Sequence, residues 1–219
     1  MQVTEQQVAA GQAVYTPRTL AIYDFVVLGV SNRLIWRCPT PQLLAHYERL
    51  LSANHLDVGV GSGFFLDRCR FPSPTPRLVL MDLNSSALSH AATRVGRYAP
   101  QTVVHNVLEP APKDLAKFDS IAINYLLHCI PGTMSSKASV FGHLKALLKP
   151  GGVLFGSTLL GTGIDRSWAA RRLMKVYNKR GIFCNEQDDL DSLREGLADH
   201  FDEPHFELAG CGALFSARA

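Results

Sequence analysis

The sequence of 219 residues lacks an apolar run long enough to cross a membrane. Its longest apolar stretch, residues 121–130, is shorter than the roughly 20 residues of a transmembrane helix and is interrupted by Asn124 and His128. The N-terminal segment MQVTEQQVAAGQ has neither a basic start nor an apolar centre, so we expect no secretory signal. These absences favour a cytoplasmic protein without a membrane partner.

Cysteines are few and widely spaced, and they form no CxxC pair. The five are Cys38, Cys69, Cys129, Cys184 and Cys211. An odd number without metal-ligand spacing fits free thiols in a reducing cytoplasm better than disulfides or a zinc site. The aspartates do not cluster as magnesium ligands do. We therefore predict that the protein holds no metal.

The chain also lacks a strong excess of charge, because its formal net charge is only +3. That excess is too small to indicate a nucleic-acid partner, and we expect none. One basic stripe is the exception: Arg171, Lys175 and Lys179 recur at helical spacing, with Arg172 and Arg180 beside them. Such stripes are commonly solvated helix faces, and the alternative is a patch for an anionic acceptor or a nucleic acid. We expect a monomer or a homodimer.

From residue 40 onward, short apolar segments alternate with longer helical patterns, which predicts a doubly wound α/β sheet. The predicted strands cover residues 55–58, 78–81, 102–105, 121–124 and 153–159, before a closing hairpin that turns at residues 210–212. The predicted helices cover residues 40–51, 64–69, 85–97, 137–148, 167–180 and 188–200, the first with Thr40 as its N-cap. The length fits one domain over residues 1–219, with a helical cap over 1–40 and a core over 41–219.

The strongest local signal is the segment DVGVGSG, residues 57–63, between a predicted strand and a predicted helix. Gly59, Gly61 and Gly63 lack the Cβ that would block a tight turn and the close approach of a ligand. The loop lies at the carboxyl edge of a parallel strand, where such sheets bind ligands, and the alternative is a turn without a ligand. A dinucleotide fingerprint needs a glycine where this sequence has Phe64, so a nicotinamide cofactor fits poorly.

Asp82 ends the next predicted strand. A carboxylate at this place accepts hydrogen bonds from two ribose hydroxyls, and such charged hydrogen bonds are stronger than neutral ones. An aspartate in a loop is commonly a cap or a turn residue. Here it follows an apolar strand that comes after the glycine loop, and this order favours ribose binding by Asp82.

Five motifs in order resemble those of the class I S-adenosylmethionine-dependent methyltransferases: DVGVGSG, LVLMDLN, HNVLEP, FDSIAINYLLHCIPG and LKPGGVLFGSTL. The resemblance implies a Rossmann-like sheet of seven strands, mostly parallel with an antiparallel last strand, and helices on both faces. It also implies S-adenosylmethionine as cofactor and transfer of its methyl group to an acceptor. The short chain and its aromatic N-terminal segment favour a small organic acceptor that contains a ring.

The same resemblance assigns cofactor contacts. It places Asp57 and the three glycines at the methionine end, Asp82 at the ribose hydroxyls and Leu83 on one face of the adenine. Asn106 stands where the family often has an aspartate for the adenine amino group, and its amide oxygen can accept the same hydrogen bond. The remaining implied cofactor residues are Val107, Asn124 and Tyr125.

The segment IYDFVVLGVSNRLIW is similar to the segment before the glycine loop in ubiquinone and menaquinone C-methyltransferases. The similarity implies a cap over the cofactor, with Tyr23 near the cofactor carboxylate and among the catalytic candidates. Tyr15 and Trp36 are then candidates for binding the acceptor. The alternative is that these aromatic residues only pack an N-terminal helix against the sheet.

His128 follows the fourth predicted strand, at the strand end that faces the transferred methyl group in this superfamily. It is a catalytic and acceptor-binding candidate, as a general base or as a group that orients the acceptor. The alternative is a buried structural histidine.

Three other functions remain open at this point. A nicotinamide-dependent oxidoreductase would need the glycine that Phe64 replaces. A nucleic-acid methyltransferase would carry prolines and a tyrosine where the fourth predicted strand ends in NYLL. A binding protein that kept the fold but lost catalysis is the third alternative.

Overall fold

Seven strands form one sheet in the computed structural model, which describes residues 24–219. The strands are β1 (Asn54–Val58), β2 (Arg77–Asp82), β3 (Gln101–Val104), β4 (Phe118–Asn124), β5 (Leu148–Leu159), β6 (Asp202–Ala209) and β7 (Gly212–Arg218). Their order across the sheet is β3-β2-β1-β4-β5-β7-β6, and β7 alone runs antiparallel to its neighbours. The predicted Rossmann-like sheet with a reversed last strand is confirmed.

Helices connect the strands and cover both faces of the sheet. They are α1 (Asp24–Ile35), α2 (Thr40–Leu50), α3 (Phe64–Arg68), α4 (Ser85–Arg94), α5 (Met134–Lys137), α6 (Ser139–Ala146), α7 (Trp168–Lys179) and α8 (Leu190–Ala198). Short 3₁₀ turns cover Gly96–Tyr98 and Leu127–Cys129, and α1 has π-type hydrogen bonding. Residues 24–35 are thus the described helical part of the predicted cap.

The core lies in two layers because successive side chains of a strand point to opposite faces. In β4, Ile121 and Ile123 pack in the layer that contains α6 and α8. Ala122 lies between them in sequence and packs in the other layer, with α2 and α4. Leu154 and Phe155 of β5 divide in the same way. This burial on both faces explains why the central strands read as continuous apolar runs.

Two predicted helix boundaries are wrong. The helix predicted over residues 137–148 starts at Met134, is interrupted at Ala138 and ends at Ala146, because Leu148 already pairs with Phe118 as the start of β5. Thr40 is not an N-cap but the first residue of α2, after Pro39. Its hydroxyl instead donates to the Leu28 carbonyl and accepts from Nδ2 of Asn32, so it connects α2 to α1.

Gly156 offers a test of the packing between β4 and β5. A Cβ at this position would lie 2.2 Å from the backbone oxygen of Ile123, so we expect Gly156→Ala to lower the free energy of unfolding by about 1–3 kcal/mol or more. Gly96→Ala is the matched control, because no atom lies within 4 Å of its added Cβ. Urea unfolding of both variants measures the difference, and equal stability of the two would contradict the packing.

Candidate active site

Two joined clefts open at the carboxyl edge of the sheet. One, of about 480 Å³, lies beside the loop after β1 and the start of α3, with Leu28 of α1 in its wall. The other, of about 780 Å³, lies between the ends of β2 and β3 and the segment after β4. Gly59, Gly61 and Tyr125 line both clefts. The loop after β1 therefore forms the wall that the two clefts share.

The loop after β1 needs glycine because its backbone is left-handed at three alternating positions. The φ angles of Gly59, Gly61 and Gly63 are +73°, +51° and +72°. A Cβ at Gly59 would lie 2.8 Å from Cδ1 of Leu126, and one at Gly63 would lie 3.1 Å from Cβ of Ala91. Backbone conformation and space both disfavour any larger residue here.

Asp57 is held by a buried chain of hydrogen bonds that the sequence did not reveal. Its Oδ2 accepts a hydrogen bond of 2.5 Å from the hydroxyl of Tyr47 in α2. Nε2 of His55 lies 2.9 Å from that hydroxyl, and Nδ1 of His55 lies 2.8 Å from Oγ of Ser120. Burial raises the pKa of Tyr47 well above its ordinary value, so the hydroxyl keeps its proton and donates a hydrogen bond to Asp57. His55 then donates from Nε2 to Tyr47 and accepts from Ser120.

Asp82 ends β2 in the wall of the larger cleft. Burial raises the pKa of its carboxyl to about 6, although backbone N–H groups of Asn84, Gly61 and Val60 donate to it. The bond from the Asn84 nitrogen to Oδ1 is 2.8 Å long. The carboxylate thus lies next to the glycine loop in surroundings that disfavour its charge. A ligand that donates hydroxyl hydrogen bonds would stabilise the charged form.

The residues assigned to the adenine share the cleft of Asp82. Leu83, Asn106 and Val107 all lie in its wall. Oδ1 of Asn106 accepts a hydrogen bond of 3.1 Å from the backbone nitrogen of Leu108. An amide oxygen has two lone pairs, so one is left for a ligand.

Two buried side-chain nitrogens in the cleft walls have no hydrogen-bond partner among the described residues. They are Nε2 of His105, which sequence reasoning missed, and Nδ2 of Asn124. Oδ1 of Asn124 accepts from Oγ of Ser157 at 2.9 Å, so Nδ2 is the atom left to donate. Buried polar groups are normally paired, and unpaired ones at a cleft indicate a polar ligand. The polar groups in the walls of the two clefts therefore fit S-adenosylmethionine, whose ribose, adenine and amino-acid ends are all polar.

Tyr125 connects the carboxyl edge of the sheet to α1. Its backbone has a φ of +54°, which is uncommon for a bulky residue, and its nitrogen donates to the Ser157 carbonyl at 2.7 Å. Its hydroxyl donates to Oδ1 of Asn32 in α1 at 3.1 Å. Tyr125 therefore lines both clefts while its hydroxyl is held by α1.

The surroundings of His128 do not support a general base. Its Nδ1 accepts a hydrogen bond of 3.2 Å from the backbone nitrogen of Leu159 and lies 3.3 Å from Oγ1 of Thr158. The neutral ring therefore carries its proton on Nε2, and burial lowers its pKa to about 3. His128 is buried and lies outside the residues that line the two clefts. Its Nε2 can donate a hydrogen bond but cannot readily accept a proton.

Trp36, the predicted acceptor-binding residue, does not line either cleft. Trp36 is buried in a cluster with Phe183, at 6.1 Å between ring centroids, and it lies outside the linings of both clefts. Its backbone oxygen accepts from the Cys211 nitrogen at 2.7 Å, which fixes it to the hairpin of β6 and β7. Packing against the sheet accounts for this aromatic residue. Tyr15 and Tyr23 lie outside the described residues.

Comparisons with known proteins agree with this geometry. Residues 56–154 match a family model described as a methyltransferase domain. The chain is 42% identical to demethylluteothin O-methyltransferase of Streptomyces thioluteus, over 98% of this chain and 93% of that one. It is 38% identical to the physcion biosynthesis cluster O-methyltransferase of Aspergillus chevalieri, over 94% of each chain. The chain belongs to the class I S-adenosylmethionine-dependent methyltransferases.

Solved structures extend the likeness to the fold of this methyltransferase. N-methyltransferase NodS of Bradyrhizobium japonicum WM9, in complex with S-adenosylhomocysteine, aligns with a TM-score of 0.60 at 14% identity, over 93% of this chain and 98% of that one. The DhpI–SAH complex aligns with a TM-score of 0.71 at 12% identity, over 99% and 98%. Family membership decides the cofactor and rules out a nicotinamide-dependent oxidoreductase. The similarity of the N-terminal segment to quinone C-methyltransferases stays a prediction.

Asp24 and Arg94 connect α1 of the methyltransferase to its glycine loop, a contact that the sequence did not reveal. Nη1 of Arg94 donates to Oδ2 of Asp24 at 2.5 Å and to the carbonyl of Ser62 at 3.2 Å. Oγ of Ser62 donates to Oδ1 of Asp24 at 2.6 Å. The start of α1 is therefore held against the loop that lines the smaller cleft.

Residues 24–219 contain no helix that is long and apolar enough to cross a membrane. In the same part of the chain, no group of three or more His, Cys, Asp or Glu side chains could hold a metal ion. All five cysteines are free thiols.

The Asp82 carboxyl is expected to titrate near pH 6 in the cofactor-free methyltransferase, above the ordinary aspartate value of about 3.9. Because its native pKa exceeds its unfolded pKa, the native state binds the proton more tightly, and stability from this group falls as pH rises from about 4 to about 6. Carbon-13 NMR of labelled aspartate gives the titration curve, and Asp82→Ala assigns it. A midpoint near pH 4 would contradict the argument from burial.

His128→Phe should lower the free energy of unfolding at pH 7 by about 1–3 kcal/mol, because the Leu159 nitrogen loses its buried acceptor. The native pKa of His128 lies below its unfolded value, so wild type loses stability as pH falls below about 6.5, and the variant lacks this loss. The difference between the two proteins should therefore shrink from pH 7 to pH 5 in urea titrations. A difference that grows over this range would contradict a neutral, buried ring.

Proposed function

We propose that the methyltransferase transfers the methyl group of S-adenosylmethionine to a hydroxyl oxygen of a small organic acceptor that contains a ring. The observation that carries the proposal is the pair of joined clefts, with Asp82 in one and Asp57, Gly59 and Asn124 in the other. Two relatives that match nearly the whole chain carry O-methyltransferase in their names. Their names support oxygen as the acceptor atom.

In this proposal the larger cleft holds the nucleoside. Asp82 accepts from the ribose hydroxyls, Leu83 and Val107 contact the adenine faces, and Asn106 meets the adenine edge. The smaller cleft holds the methionine end against Gly59, Gly61 and Gly63, with Asp57 as the acceptor for its amino group and Asn124 as a donor. When bound, the cofactor supplies an electrophilic methyl group on a sulfonium.

The acceptor lies, in this proposal, beyond Tyr125, in the part of the larger cleft walled by Leu126, Cys129, Ile130 and Pro131. This wall is mostly apolar, which suits a flat organic ring. The role of the chain there is to orient the acceptor hydroxyl and to exclude water. His128 lies outside the cleft lining, and its ring packs against Tyr125 at 5.4 Å between ring centroids. We therefore propose His128 as a positioning residue.

The N-terminal segment completes the proposal. The contact of Asp24 with Ser62 and Arg94 supports a cap over residues 1–40 that rests on the glycine loop. Tyr23 directly precedes this contact in sequence and stays a candidate for the cofactor carboxylate, and Tyr15 stays one for the acceptor. Five free cysteines support a cytoplasmic location.

Calorimetry with S-adenosylhomocysteine tests the cofactor site. We expect micromolar binding, about −7 to −9 kcal/mol, and a loss of about 1.5–3 kcal/mol in Asp82→Asn, the scale of a hydrogen bond to a charged group. Affinity of wild type should fall below about pH 6, where Asp82 takes up a proton. Asp119→Asn is the control, since Asp119 pairs with Lys149 on the surface at the amino end of β4.

The acceptor is tested with phenolic and hydroxylated heterocyclic compounds, each paired with its methyl ether. Release of S-adenosylhomocysteine with the free hydroxyl and none with the ether would assign methylation to oxygen. Turnover of the ethers at an equal rate would place the methyl group on another atom. Binding of NADH without binding of S-adenosylhomocysteine, or methylation of RNA or DNA alone, would refute the proposal.

A further inference from the structure

Helix α7 carries an exposed face of five cations and two apolar side chains. Residues 168, 171, 172, 175, 176, 179 and 180 are exposed, and their spacing of three or four positions puts them on one side of the helix. We call this the α7 face. It consists of Trp168, Val176 and the five cations Arg171, Arg172, Lys175, Lys179 and Arg180.

The opposite side of α7 packs on the protein. Ala170 and Met174 are buried in the same cluster as Tyr125, and Tyr177 contacts Phe183 at 4.9 Å between ring centroids. The packing of this buried side fixes the helix in place. On the outer side, Nε of Arg171 donates to the Arg166 carbonyl at 2.9 Å, and the α7 face makes no ion pair within the described residues.

The positive charge of the α7 face is not neutralised locally. Within the described residues, no carboxylate lies within 4.0 Å of any of its five cations. These five charges exceed the net charge of the whole chain, +3, so the rest of the molecule is net acidic. The α7 face therefore carries a local excess of positive charge.

Trp168 distinguishes this face from an ordinary solvated one. It is 73% exposed, the largest exposed fraction among the large apolar side chains in the described part of the chain. The guanidinium of Arg172 lies 5.6 Å from the centre of its ring. Tryptophan prefers the boundary between lipid headgroups and acyl chains, and Lys and Arg stems reach from there to lipid phosphates.

We propose that the α7 face docks the enzyme on a membrane surface of anionic phospholipid. Clustered Lys and Arg side chains are attracted to anionic lipid by about 1 kcal/mol each, and an exposed tryptophan can enter the headgroup boundary beside them. Nucleic acid is the less favoured partner, because successive bases need several stacking rings and the α7 face offers only Trp168, whereas a lipid boundary accommodates both Trp168 and Val176. The proposal changes the expectation of no membrane partner and requires no membrane-spanning helix.

The two tryptophans of the chain make docking directly measurable. Trp36 is 1% exposed and Trp168 is 73% exposed, so only Trp168 can change its surroundings on binding. Vesicles of phosphatidylcholine with phosphatidylglycerol should shift the fluorescence emission to the blue. Vesicles of phosphatidylcholine alone should not. The shift should be absent in Trp168→Phe, which still sediments with the anionic vesicles.

Charge variants separate docking from catalysis. Removing three cations in R171Q/K175Q/K179Q should weaken sedimentation with anionic vesicles on the order of 100-fold. The control R70Q/K113Q/K117Q removes the same charge near the amino ends of β2 and β4 and should sediment like wild type. Both variants should bind S-adenosylhomocysteine as wild type does, so a failed docking test leaves the proposed chemistry intact.

Three outcomes would overturn the docking proposal. They are no sedimentation of wild type with anionic vesicles, equal weakening in both triple variants, and tighter binding to single-stranded RNA than to vesicles that is lost in R171Q/K175Q/K179Q. The last outcome would assign the α7 face to nucleic acid.

Discussion

The buried hydrogen bond from Tyr47 to Asp57 is the contact on which the site depends. It joins α2 to the end of β1, just before the glycine loop, and His55 extends it to Ser120 in β4. Contacts from α2, β1 and β4 therefore fix the position of the Asp57 carboxylate. A buried carboxyl without such a donor would be strongly unfavourable, so the loop that both clefts share starts from a fixed point.

The sequence was sufficient for the parts of the site that local chemistry determines. The glycines at 59, 61 and 63 are needed by the backbone of their own loop, and Asp82 is identified by its place at a strand end. The central strands could be predicted for a different reason. Helices cover both faces of the sheet, so these strands are apolar throughout. Helix boundaries were less predictable, because the pairing of Leu148 with Phe118 overrides the helical pattern before it.

Residues whose surroundings come from distant segments could not be read correctly. Trp36 is an aromatic residue in a segment predicted to be a cap. Its backbone, however, is bound to the turn between β6 and β7, and its ring is buried. His128 has the right place for a base, but the backbone of Leu159 occupies Nδ1 and burial opposes its charge. The pairing of Asp24 with Arg94 spans the chain from α1 to α4, and no spacing in the sequence indicates it.

Several groups at the clefts are held in unfavourable states in the free protein. Asp82 is buried enough to resist ionisation, Asn124 and His105 each have a side-chain nitrogen without a partner among residues 24–219, and Tyr125 has a positive φ. Such local costs are typical of functional sites and persist only where the surrounding fold determines them. A cofactor that satisfies Asp82, Asn124 and His105 binds the native state alone, and so its binding energy adds to the stability of the fold. The buried carboxyl of Asp82 and the nitrogens of Asn124 and His105 would therefore couple cofactor binding to folding.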